Sequence, residues 1–374
     1  MGKKVIAHVA GGLTTGGVEA VIYNYFSHMP LEEYELHYLT YTDPNEVEKK
    51  RFEDLGFIVH TLPRKKEHFW KAFWAVYRIF KEYHVNIVHS HMTLMSFMTS
   101  FIGILTGVKV RVAHSHLAQY PTGIKKYVYA VFKVLSRITS TDWFACGIEA
   151  ANYLYGEKNV KAGKVTILNN AIDLSRFKVQ EEVRVQIREK YGLQDAYCVG
   201  HVGRYTEQKN HSFLIDIFEE IARERADARL LLVGEGPLME QVNEKIAAKN
   251  LNDKVIIAGS CTNMHEMYQA MDVMVFPSLY EGLSVALLEA QAMGLEIYVS
   301  DTVTPELSLT EGIHYLPLAQ SPKEWSSAVL KNAVVGQFHD NKNVLAEKNY
   351  DILREAKKLD DFYSMKIAGK QEAK

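Results

Sequence analysis

The sequence predicts an α/β protein in which two doubly wound parallel sheets face each other across a cleft. Three observations predict this fold class. Short apolar runs typical of buried strands alternate with helical patterns along the chain. Glycine-containing turns follow several of these runs, at the point where a strand passes into a helix or loop. With 374 residues, the chain is long for one hydrophobic core and comfortable for two.

The first half of the chain alternates regularly between strand and helix patterns. A strand over Val5–Ala10 leads through a glycine-rich loop into a helix over Val18–His28. Strand, strand, helix, strand, helix and strand follow over Glu35–Thr42, Phe57–Leu62, Phe69–Tyr83, Ile87–Ser90, Leu94–Leu105 and Val108–His114. This rhythm predicts a first Rossmann-like domain over residues 1–178.

The alternation of strand and helix patterns is interrupted over Asp173–Gly192, which is charged and has no strand pattern. It then restarts as strand, helix, strand, helix, strand and strand over Tyr197–Val202, His211–Arg223, Arg229–Val233, Leu238–Ala248, Val255–Ala258 and Asp272–Phe276. A last helical pattern covers Asp351–Met365. We therefore predict a second Rossmann-like domain over residues 179–350, followed by a C-terminal helix and tail over residues 351–374.

The charge distribution is uneven and limits the partners to consider. The net charge is −2, yet residues 1–180 carry 22 Lys and Arg against 15 Asp and Glu, a net charge of +7. The remainder carries 21 against 30, a net charge of −9. A basic first half fits an anionic acceptor, an anionic membrane surface or attraction between the domains. No motif supports binding to nucleic acid.

The cysteines and the hydropathy pattern predict a cytoplasmic protein. Cys146, Cys198 and Cys261 lie far apart and form neither a disulfide framework nor a metal-binding spacing. The chain begins directly with a strand pattern rather than a signal peptide. Its longest uncharged stretch, Met92–Val108, is too short and too rich in Ser and Thr to span a bilayer.

Two segments that mix cations with aromatic residues leave membrane contact open. Phe69–Arg78 and Lys125–Lys133 carry these residues at helical spacing. Both segments could rest on the anionic inner face of the cell membrane. The alternative is that both helices pack on the sheet, with the alkyl chains of Lys and Arg lying along its surface.

Two carboxylates eight positions apart, Glu281 and Glu289, follow a strand pattern that ends at Phe276. They lie where a loop becomes a helix, and a helix N-terminus presents unpaired N–H groups to an anion. If most of the segment is helical, about 12 Å separates them, which exceeds the ~5–9.5 Å of a glycosidase acid/base pair. This spacing suits two anchors on one long polar ligand. The alternative is a capped helix with Glu289 on a solvated face.

Glycines and cations mark two other strand ends. Gly11–Glu19 opens a helix, and its glycines would let backbone N–H groups approach a phosphate. This loop matches neither the P-loop nor the dinucleotide fingerprint. In the second half, Gly203 and Arg204 end a strand and Lys209 follows. Two cations beside a glycine suit a diphosphate, whose charge they would neutralise as it departs. The alternative for Gly11–Glu19 is a tight structural turn, and the alternative for Arg204 and Lys209 is a pair of exposed cations.

Four histidines, His89, His91, His114 and His116, form two H-x-H patterns in which both rings lie on one face of a strand. We nevertheless predict no metal site. No acidic ligand follows at the spacing of zinc hydrolases, and the D-x-D motif is absent from the sequence. A single histidine that contacts a sugar hydroxyl is the favoured interpretation, and the others then belong to the core or its rim.

Taken together and in order, these motifs resemble the retaining glycosyltransferases of family 4, which have the two-domain GT-B fold. The resemblance rests on three segments that occur in the order His201–Asn210, Val233–Pro237 and Pro277–Ala290. Gly16–Glu19 and Asn170–Asp173 are similar to the donor loop and the interdomain crossing of that family. Details around residues 207–211, 289–292 and 300–302 are similar to members from bacterial capsule and exopolysaccharide synthesis.

The resemblance implies a role for each motif residue in the second domain, which would bind the nucleotide-sugar donor. Arg204 and Lys209, beside Gly203, would hold the donor diphosphate. Glu289 would bind the ribose hydroxyls, and Glu281 would bind the donor sugar near its 3-hydroxyl. The backbone would meet sugar and phosphate at Gly282, Leu283 and Ser284.

The resemblance also implies roles for the first domain, which would bind the acceptor. Gly16 and Gly17 would let this domain close onto the phosphates. His114 would be the active-site histidine near the sugar's 6-hydroxyl, and His116 is the rival assignment. The segment 351–374 would pack back toward the first domain. Acceptor specificity is expected in loops such as Gln119–Gly123, and the last residues, 370–374, are expected to fray.

The function implied is a retaining, metal-independent transferase in capsule or exopolysaccharide synthesis. It would move a hexose or N-acetylhexosamine from UDP to a glycan or lipid-linked glycan, without a cofactor. The departing phosphate would accept the proton of the acceptor, so that no protein base is needed. Two alternatives remain open: a sugar-nucleotide epimerase or hydrolase of the same fold, and a non-catalytic partner subunit of a glycosyltransferase.

Overall fold

A computed structural model describes residues 3–14, 16–64, 68–116, 122–331 and 334–368. The chain divides into two compact units, Met1–Ala171 with Asn349–Lys374, and Ile172–Lys348. The expected acceptor loop at Gln119–Gly123 has residues 119–121 outside the described ranges, and the expected frayed tail at 370–374 lies wholly outside them.

The first unit is a seven-stranded parallel sheet with helices between the strands. Its elements are β1 Lys4–Ala10, α1 Gly17–Phe26, β2 Tyr34–Thr40, α2 Glu46–Asp54, β3 Phe57–Thr61, α3 Phe69–Glu82, β4 Ile87–Ser90, α4 Ser96–Thr106, β5 Val110–Ser115, α5 Lys125–Thr139, β6 Asp142–Ala145, α6 Ile148–Tyr155, α7 Glu157–Lys161 and β7 Val165–Ile167. The strand order is β3-β2-β1-β4-β5-β6-β7. The order reverses between β1 and β4, which makes this the topological switch point of the sheet.

The second unit repeats this plan with six parallel strands. Its elements are α8 Glu181–Lys190, β8 Tyr197–Val202, α9 His211–Glu224, β9 Ala228–Val233, α10 Met239–Ala248, β10 Val255–Gly259, α11 Met264–Ala270, β11 Val273–Phe276, α12 Val285–Met293, β12 Glu296–Ser300, β13 Ile313–Leu316, α13 Pro322–Lys331 and α14 Lys342–Glu347. The strand order is β10-β9-β8-β11-β12-β13, and its switch point lies between β8 and β11.

The apolar runs form strands because helices cover both faces of each sheet, as parallel sheets require. All four residues of β11 are buried, which explains why this strand shows no alternation of polar and apolar residues. In the second unit, β8 and β9 share a core with Leu214 and Phe218 of α9. In the first, Ala7 and Val9 of β1 pack with Val76 of α3.

The last helix, α15 Ile352–Ala368, belongs to the first unit. Its Tyr363 is fully buried there, and the Lys366 Nζ lies 2.6 Å from a carboxylate oxygen of Asp142. Tyr34 donates a hydrogen bond to Asp360 of the same helix. The predicted fold class, two doubly wound parallel sheets with a C-terminal helix that returns to the first unit, is therefore confirmed.

The charged stretch Asp173–Gly192, for which no strand is predicted, contains α8. Arg184 and Arg188 of this helix bind the carboxylate of Asp272, just before β11. Within the described ranges, no helix is both long and apolar enough to cross a membrane.

Candidate functional site

Two loops meet at the carboxyl ends of β8 and β11, the switch point of the second sheet. The loop after β8 contains Gln208 and Asn210, and the loop after β11 starts at Pro277. The backbone N–H of Leu279 donates to the carbonyl of Gln208 at 2.8 Å. The Asn210 amide donates to the carbonyl of Pro277 at 3.1 Å. Parallel sheets of this topology bind ligands at this position, and the sequence-predicted residues of the second unit gather there.

A buried ion pair joins the two loops. The Lys209 Nζ lies 2.6 Å from the Glu281 Oε1, and the two side chains are 15% and 8% exposed. The Gln208 amide also donates to Oε1, at 3.1 Å. Among the described residues, none donates a hydrogen bond to Oε2 of Glu281. This oxygen, and the two further N–H donors of the ammonium group, remain available to a ligand.

Gly203 makes room for Lys209. A Cβ atom at Gly203 would lie 3.1 Å from the Lys209 Cδ and 3.2 Å from the His201 Nε2. Arg204, the next residue, is exposed. Within the ranges that the structure describes, its guanidinium group forms no ion pair. Of the two predicted phosphate-binding cations, the lysine is therefore held by a carboxylate and the arginine is exposed.

The start of α12 differs from the sequence expectation. Glu281 lies in an extended segment that bridges Val303, and α12 begins only at Val285. The separation of about 12 Å, expected if most of the segment is helical, therefore does not apply. Ser284 is the N-cap residue, but its side chain makes no capping hydrogen bond. The first N–H groups of α12 thus lack a side-chain cap, and no acidic residue occupies the first turn.

Glu289 lies one turn into α12 and is partly buried. Burial raises the pKa of its carboxyl group to about 7. A hydrogen bond from the Tyr268 hydroxyl, 2.9 Å from Oε2, opposes this rise, as does the charge of Arg176. Sequence reasoning missed Tyr268. A half-ionised carboxylate with one donor can accept further hydrogen bonds from a ligand's hydroxyl groups.

In the first unit, Gly16 and Gly17 lie at the start of α1, as predicted. Gly16 is the N-cap residue, and a Cβ atom there would lie 2.4 Å from the Glu19 Oε2. Glu19 is buried, which raises the pKa of its carboxyl group. Backbone hydrogen bonds at Glu19 itself and at Thr14 oppose that rise. The Glu19 carboxylate therefore already lies against the helix N-terminus that was expected to meet phosphate.

Five histidines form two hydrogen-bonded rows across β1, β4 and β5, at the switch point of the first sheet. In one row, the His8 Nδ1 lies 3.0 Å from the His91 Nε2, and the His91 Nδ1 lies 2.9 Å from the His116 Nε2. We call this the outer row because His116 is only partly buried. His8 was not singled out in the sequence, although it pairs directly with His89 in the parallel sheet.

The second row, the inner row, consists of Tyr363, His89 and His114. The Tyr363 hydroxyl lies 2.6 Å from the His89 Nδ1, and the His89 Nε2 lies 3.0 Å from the His114 Nδ1. All three side chains are fully buried or nearly so. Of the two candidates for the active-site histidine, His114 therefore lies inside the unit, whereas His116 is partly exposed at the strand end.

The rows bring together three-histidine groups of the size that a metal site needs, namely His8 with His89 and His91, and His91 with His114 and His116. The geometry favours hydrogen bonding instead. The rings of His89 and His91 are parallel within 9°, with centroids 4.4 Å apart, so these two rings stack on each other. Nitrogen separations of 2.9–3.0 Å are those of N–H···N hydrogen bonds.

Burial holds the pKa values of these rings well below the ordinary value of histidine. The pKa of His8 is lowered to about 3 and that of His116 to about 4. For His89, His91 and His114, burial is the main cause of the lowered pKa, and neighbouring imidazoles add to it. All five rings are therefore neutral near pH 7.

A pocket of 740 Å³ lies elsewhere in the second unit, lined by Glu296, Thr310, His339 and Lys348 among others. No sequence-predicted site residue lines it. Its histidine is already bound, since the His339 Nε2 lies 2.7 Å from a Glu296 oxygen.

Comparison with known proteins assigns the chain to a class. Residues 15–176 match the model of Glycosyltransferase Family 4, and residues 196–332 match that of Glycosyl transferases group 1. EpsF of Bacillus subtilis (strain 168), which is assigned to the glycosyltransferases, is 30% identical over 375 residues, with 97% of each chain covered. The chain therefore belongs to the family 4 glycosyltransferases, as its motifs predict, and it is a glycosyltransferase.

Two further proteins are similar to this chain. An Escherichia coli UDP-Gal:alpha-D-GlcNAc-diphosphoundecaprenol alpha-1,3-galactosyltransferase is 26% identical over 309 residues, with 80% of each chain covered. Among solved structures, Anabaena Alr3699/HepE in complex with UDP-glucose superimposes with a TM-score of 0.77 at 15% identity, over 96% of this chain and 99% of that one. This second likeness supports the fold.

Proposed function

We propose that this glycosyltransferase is a retaining enzyme that moves a hexose or N-acetylhexosamine from UDP to a glycan or lipid-linked glycan in capsule or exopolysaccharide synthesis. The observation that carries the proposal is the Lys209–Glu281 pair at the switch point of the second sheet. The name of the Escherichia coli relative, which contains both a UDP-sugar and a lipid-linked acceptor, supports this choice of substrates.

The diphosphate, the sugar and the ribose of the donor each have a matching group in the second unit. Lys209 and the free Arg204 would neutralise the diphosphate, with help from the uncapped N–H groups of α12. The unused Oε2 of Glu281 would accept a hydrogen bond from a sugar hydroxyl. Glu289 would accept hydrogen bonds from the ribose hydroxyls. In the first unit, Gly16, Gly17 and a histidine of β5 or just after it keep the roles that the family resemblance implies.

The reaction we propose needs no protein base and no metal. The bond between the sugar's anomeric carbon and the phosphate oxygen breaks, and a bond from the same carbon to the acceptor oxygen forms on the same face. The acceptor's proton passes to the departing phosphate. The cations stabilise the negative charge that develops on this phosphate, and the protein's main task is positioning.

Calorimetric titration with UDP, GDP and ADP, each with and without EDTA, tests the donor class. We expect UDP to bind most tightly and EDTA to leave its affinity unchanged. A preference for GDP or ADP would change the donor class, and loss of binding in EDTA would contradict metal independence.

Variants of Glu281 and Arg204 test the site. Glu281→Ala and Arg204→Ala are each expected to reduce transfer at least 100-fold, on the order of the loss from removing one stabilising group, while leaving the circular dichroism spectrum unchanged. Glu235→Ala is the matched control, because Glu235 belongs to the neighbouring loop after β9 and has no role in the proposed mechanism. Full transfer by both site variants would contradict the assignment.

We also propose that an apolar stripe on α5 contacts an anionic lipid surface. The stripe consists of residues on or next to α5 that recur every three to four positions and are 45% to 82% exposed: Ile124, Tyr127, Val128, Val131, Val134 and Ile138. An outward apolar stripe of this length is unusual for a helix on a sheet. Lys125 and Lys126 lie beside it and match the charge of anionic lipid.

Co-sedimentation with phosphatidylglycerol vesicles tests this surface. Binding is expected to weaken at least fivefold in Val131→Asp, because a charge is placed in the apolar stripe. Val47→Asp is the matched control, since Val47 is a 66% exposed valine on α2, outside the stripe. Equal binding by both variants, or equal binding to neutral phosphatidylcholine vesicles, would contradict the proposal.

A further inference from the structure

The inner row ends in a histidine nitrogen that has no partner. The His114 Nε2 is buried and has no hydrogen-bond partner. At the other end, the Tyr363 hydroxyl has one partner among the described residues, the His89 Nδ1. Buried polar atoms without partners are uncommon and call for an explanation. The explanation here depends on where the protons of the row lie.

The number of unpaired polar atoms indicates in which direction the hydrogen bonds of the inner row are donated. If Tyr363 donates its O–H to the His89 Nδ1, neutral His89 carries its proton on Nε2 and donates it to the His114 Nδ1. His114 then carries its own proton on Nε2, and this N–H is the single unpaired group. In the opposite direction, both the phenol hydrogen and the His114 Nε2 lone pair are unpaired. The first direction leaves fewer buried polar groups unsatisfied, so it is favoured.

We infer that Tyr363 is a positioning residue: through His89 it holds His114 in the Nε2–H tautomer, so that His114 offers a hydrogen-bond donor to an oxygen of a bound sugar. The inference rests on the proposed function, because it takes a sugar as the ligand. The ligand is recognised by its acceptor oxygen, and the histidine acts as a neutral donor and not as a base.

The surroundings of the row keep it neutral and rigid. Tyr363 is fully buried on α15, and its ring packs near those of Phe26, Tyr34 and Phe362. The imidazoles are flanked by Phe144 and by the neutral rings of the outer row, His8, His91 and His116. Among the described residues, no carboxylate hydrogen-bonds to any of the five rings. The tautomers of His89 and His114 therefore depend on the hydrogen bond that the Tyr363 hydroxyl makes.

Nitrogen-15 spectra of the full chain labelled at histidine test the tautomer directly. Two-bond proton–nitrogen correlations distinguish an Nε2–H ring from an Nδ1–H ring, and spectra of His114→Gln and His89→Phe identify the two signals. We expect both rings to be Nε2–H in the wild-type protein and both to become tautomer mixtures in Tyr363→Phe. Tyr34→Phe is the matched control, because it removes another phenol that bonds α15, through Asp360, and that makes no hydrogen bond to the row.

Transfer kinetics test the positioning role. Tyr363→Phe is expected to lower kcat about tenfold, the effect of about one hydrogen bond, and to change the donor KM less than about threefold. Tyr34→Phe should keep wild-type kinetics. Because Tyr363 acts through His89, the double variant Tyr363→Phe/His89→Phe should be no slower than His89→Phe alone.

The outcomes separate this inference from the proposed function. A wild-type His114 proton on Nδ1, or a tautomer that does not change in Tyr363→Phe, would overturn the inference. So would stoichiometric Zn²⁺ binding that removes the His114 N–H signal, since the ring would then be a metal ligand. Changed tautomers with unchanged kcat would overturn the positioning role while leaving the transferase intact. If the wild-type protein transfers no sugar, the proposed function fails, and with it the sugar as ligand, whereas the spectra still decide the tautomer.

Discussion

Two carboxylates of the second unit, Asp272 and Glu289, have opposite environments. Asp272, just before β11, is bound by two guanidinium groups, those of Arg184 and Arg188 at 2.5 and 3.2 Å. The backbone N–H groups of Cys198 and Gly336 also donate to it, at 2.7 and 2.9 Å. Glu289 receives one hydrogen bond, from Tyr268. The first carboxylate is fully satisfied, and the second is not.

This difference separates a structural group from a candidate binding group. Asp272 lies at the amino end of its strand, away from the carboxyl edge where ligands bind, and it fastens α8 to the sheet. Glu289 lies near the site, and burial raises the pKa of its carboxyl group to about 7 because too few donors stabilise its charge. A carboxylate that the fold leaves short of donors can receive them from a ligand. The predictions below test this distinction.

The largest effect is expected at Asp272. Asp272→Asn keeps the shape of the side chain but leaves two guanidinium groups, 7% and 6% exposed, without a counter-charge. We expect a loss of about 3–5 kcal/mol in the free energy of unfolding of the second unit, measured by urea denaturation. The control is Asp227→Asn, because Asp227 forms an exposed ion pair with Arg225 at 3.0 Å, with an expected loss below about 1 kcal/mol. Equal losses would contradict the structural role of Asp272.

Replacement of Glu289 by glutamine is expected to increase the free energy of unfolding, whereas Asp272→Asn decreases it. The pKa of its carboxyl group is raised from the ordinary value of 4.5 to about 7 in the folded protein. The folded state therefore binds this proton more tightly than the unfolded state does. The loss of folding stability caused by the buried charge grows from pH 4.5 to pH 7 and is complete above pH 7. Glu289→Gln should stabilise the protein by up to about 3 kcal/mol at about pH 8 and by much less at about pH 4.5. Urea denaturation at both pH values measures this, and a loss of stability at the higher pH would contradict it.

The affinity for UDP should depend on pH through the same group. If ribose hydroxyls donate to the ionised form of Glu289, UDP binds best above pH 7. Between pH 8 and pH 6, the dissociation constant should rise about tenfold from this group, as one titration with a pKa near 7 predicts. The UDP phosphate also titrates in this range, so the comparison is with Glu289→Gln, in which this part of the pH dependence should vanish. Identical pH profiles would remove Glu289 from the binding site.

The sequence was sufficient for those parts of the molecule that short segments specify. β1, β8 and β11 each contain at least three consecutive apolar residues, and they were predicted, as was the shorter β4. β6 and β7 were not, because Asp142–Ala145 is short and begins with a charged residue and Val165–Ile167 has only three residues. Arg204, Lys209 and Glu281 could be found because glycines, cations and carboxylates at strand ends are visible without tertiary structure.

The partners of these residues could not be found in the same way. Tyr268 is 21 positions from Glu289, and Tyr363 is 274 positions from His89. No local pattern connects such pairs, so only the folded chain brings them together. The register of β1 against β4 likewise determines that His8 lies beside His89. The partners of the candidate site residues were therefore beyond sequence reasoning, although the candidates themselves were not.

The smallest effect on stability is expected in the outer row of histidines, whose neutral rings can be compared with the two carboxylates. His8 makes one hydrogen bond, to His91, and its Nε2 is buried without a partner. His8→Phe removes this unsatisfied nitrogen and retains an aromatic ring against Phe26, whose centroid lies 4.7 Å away. The lost hydrogen bond and the removed penalty oppose each other, so we expect a change within about 1 kcal/mol in urea denaturation. A loss as large as that of Asp272→Asn would mean that the outer row stabilises the fold as much as the ion pairs and hydrogen bonds of Asp272 do.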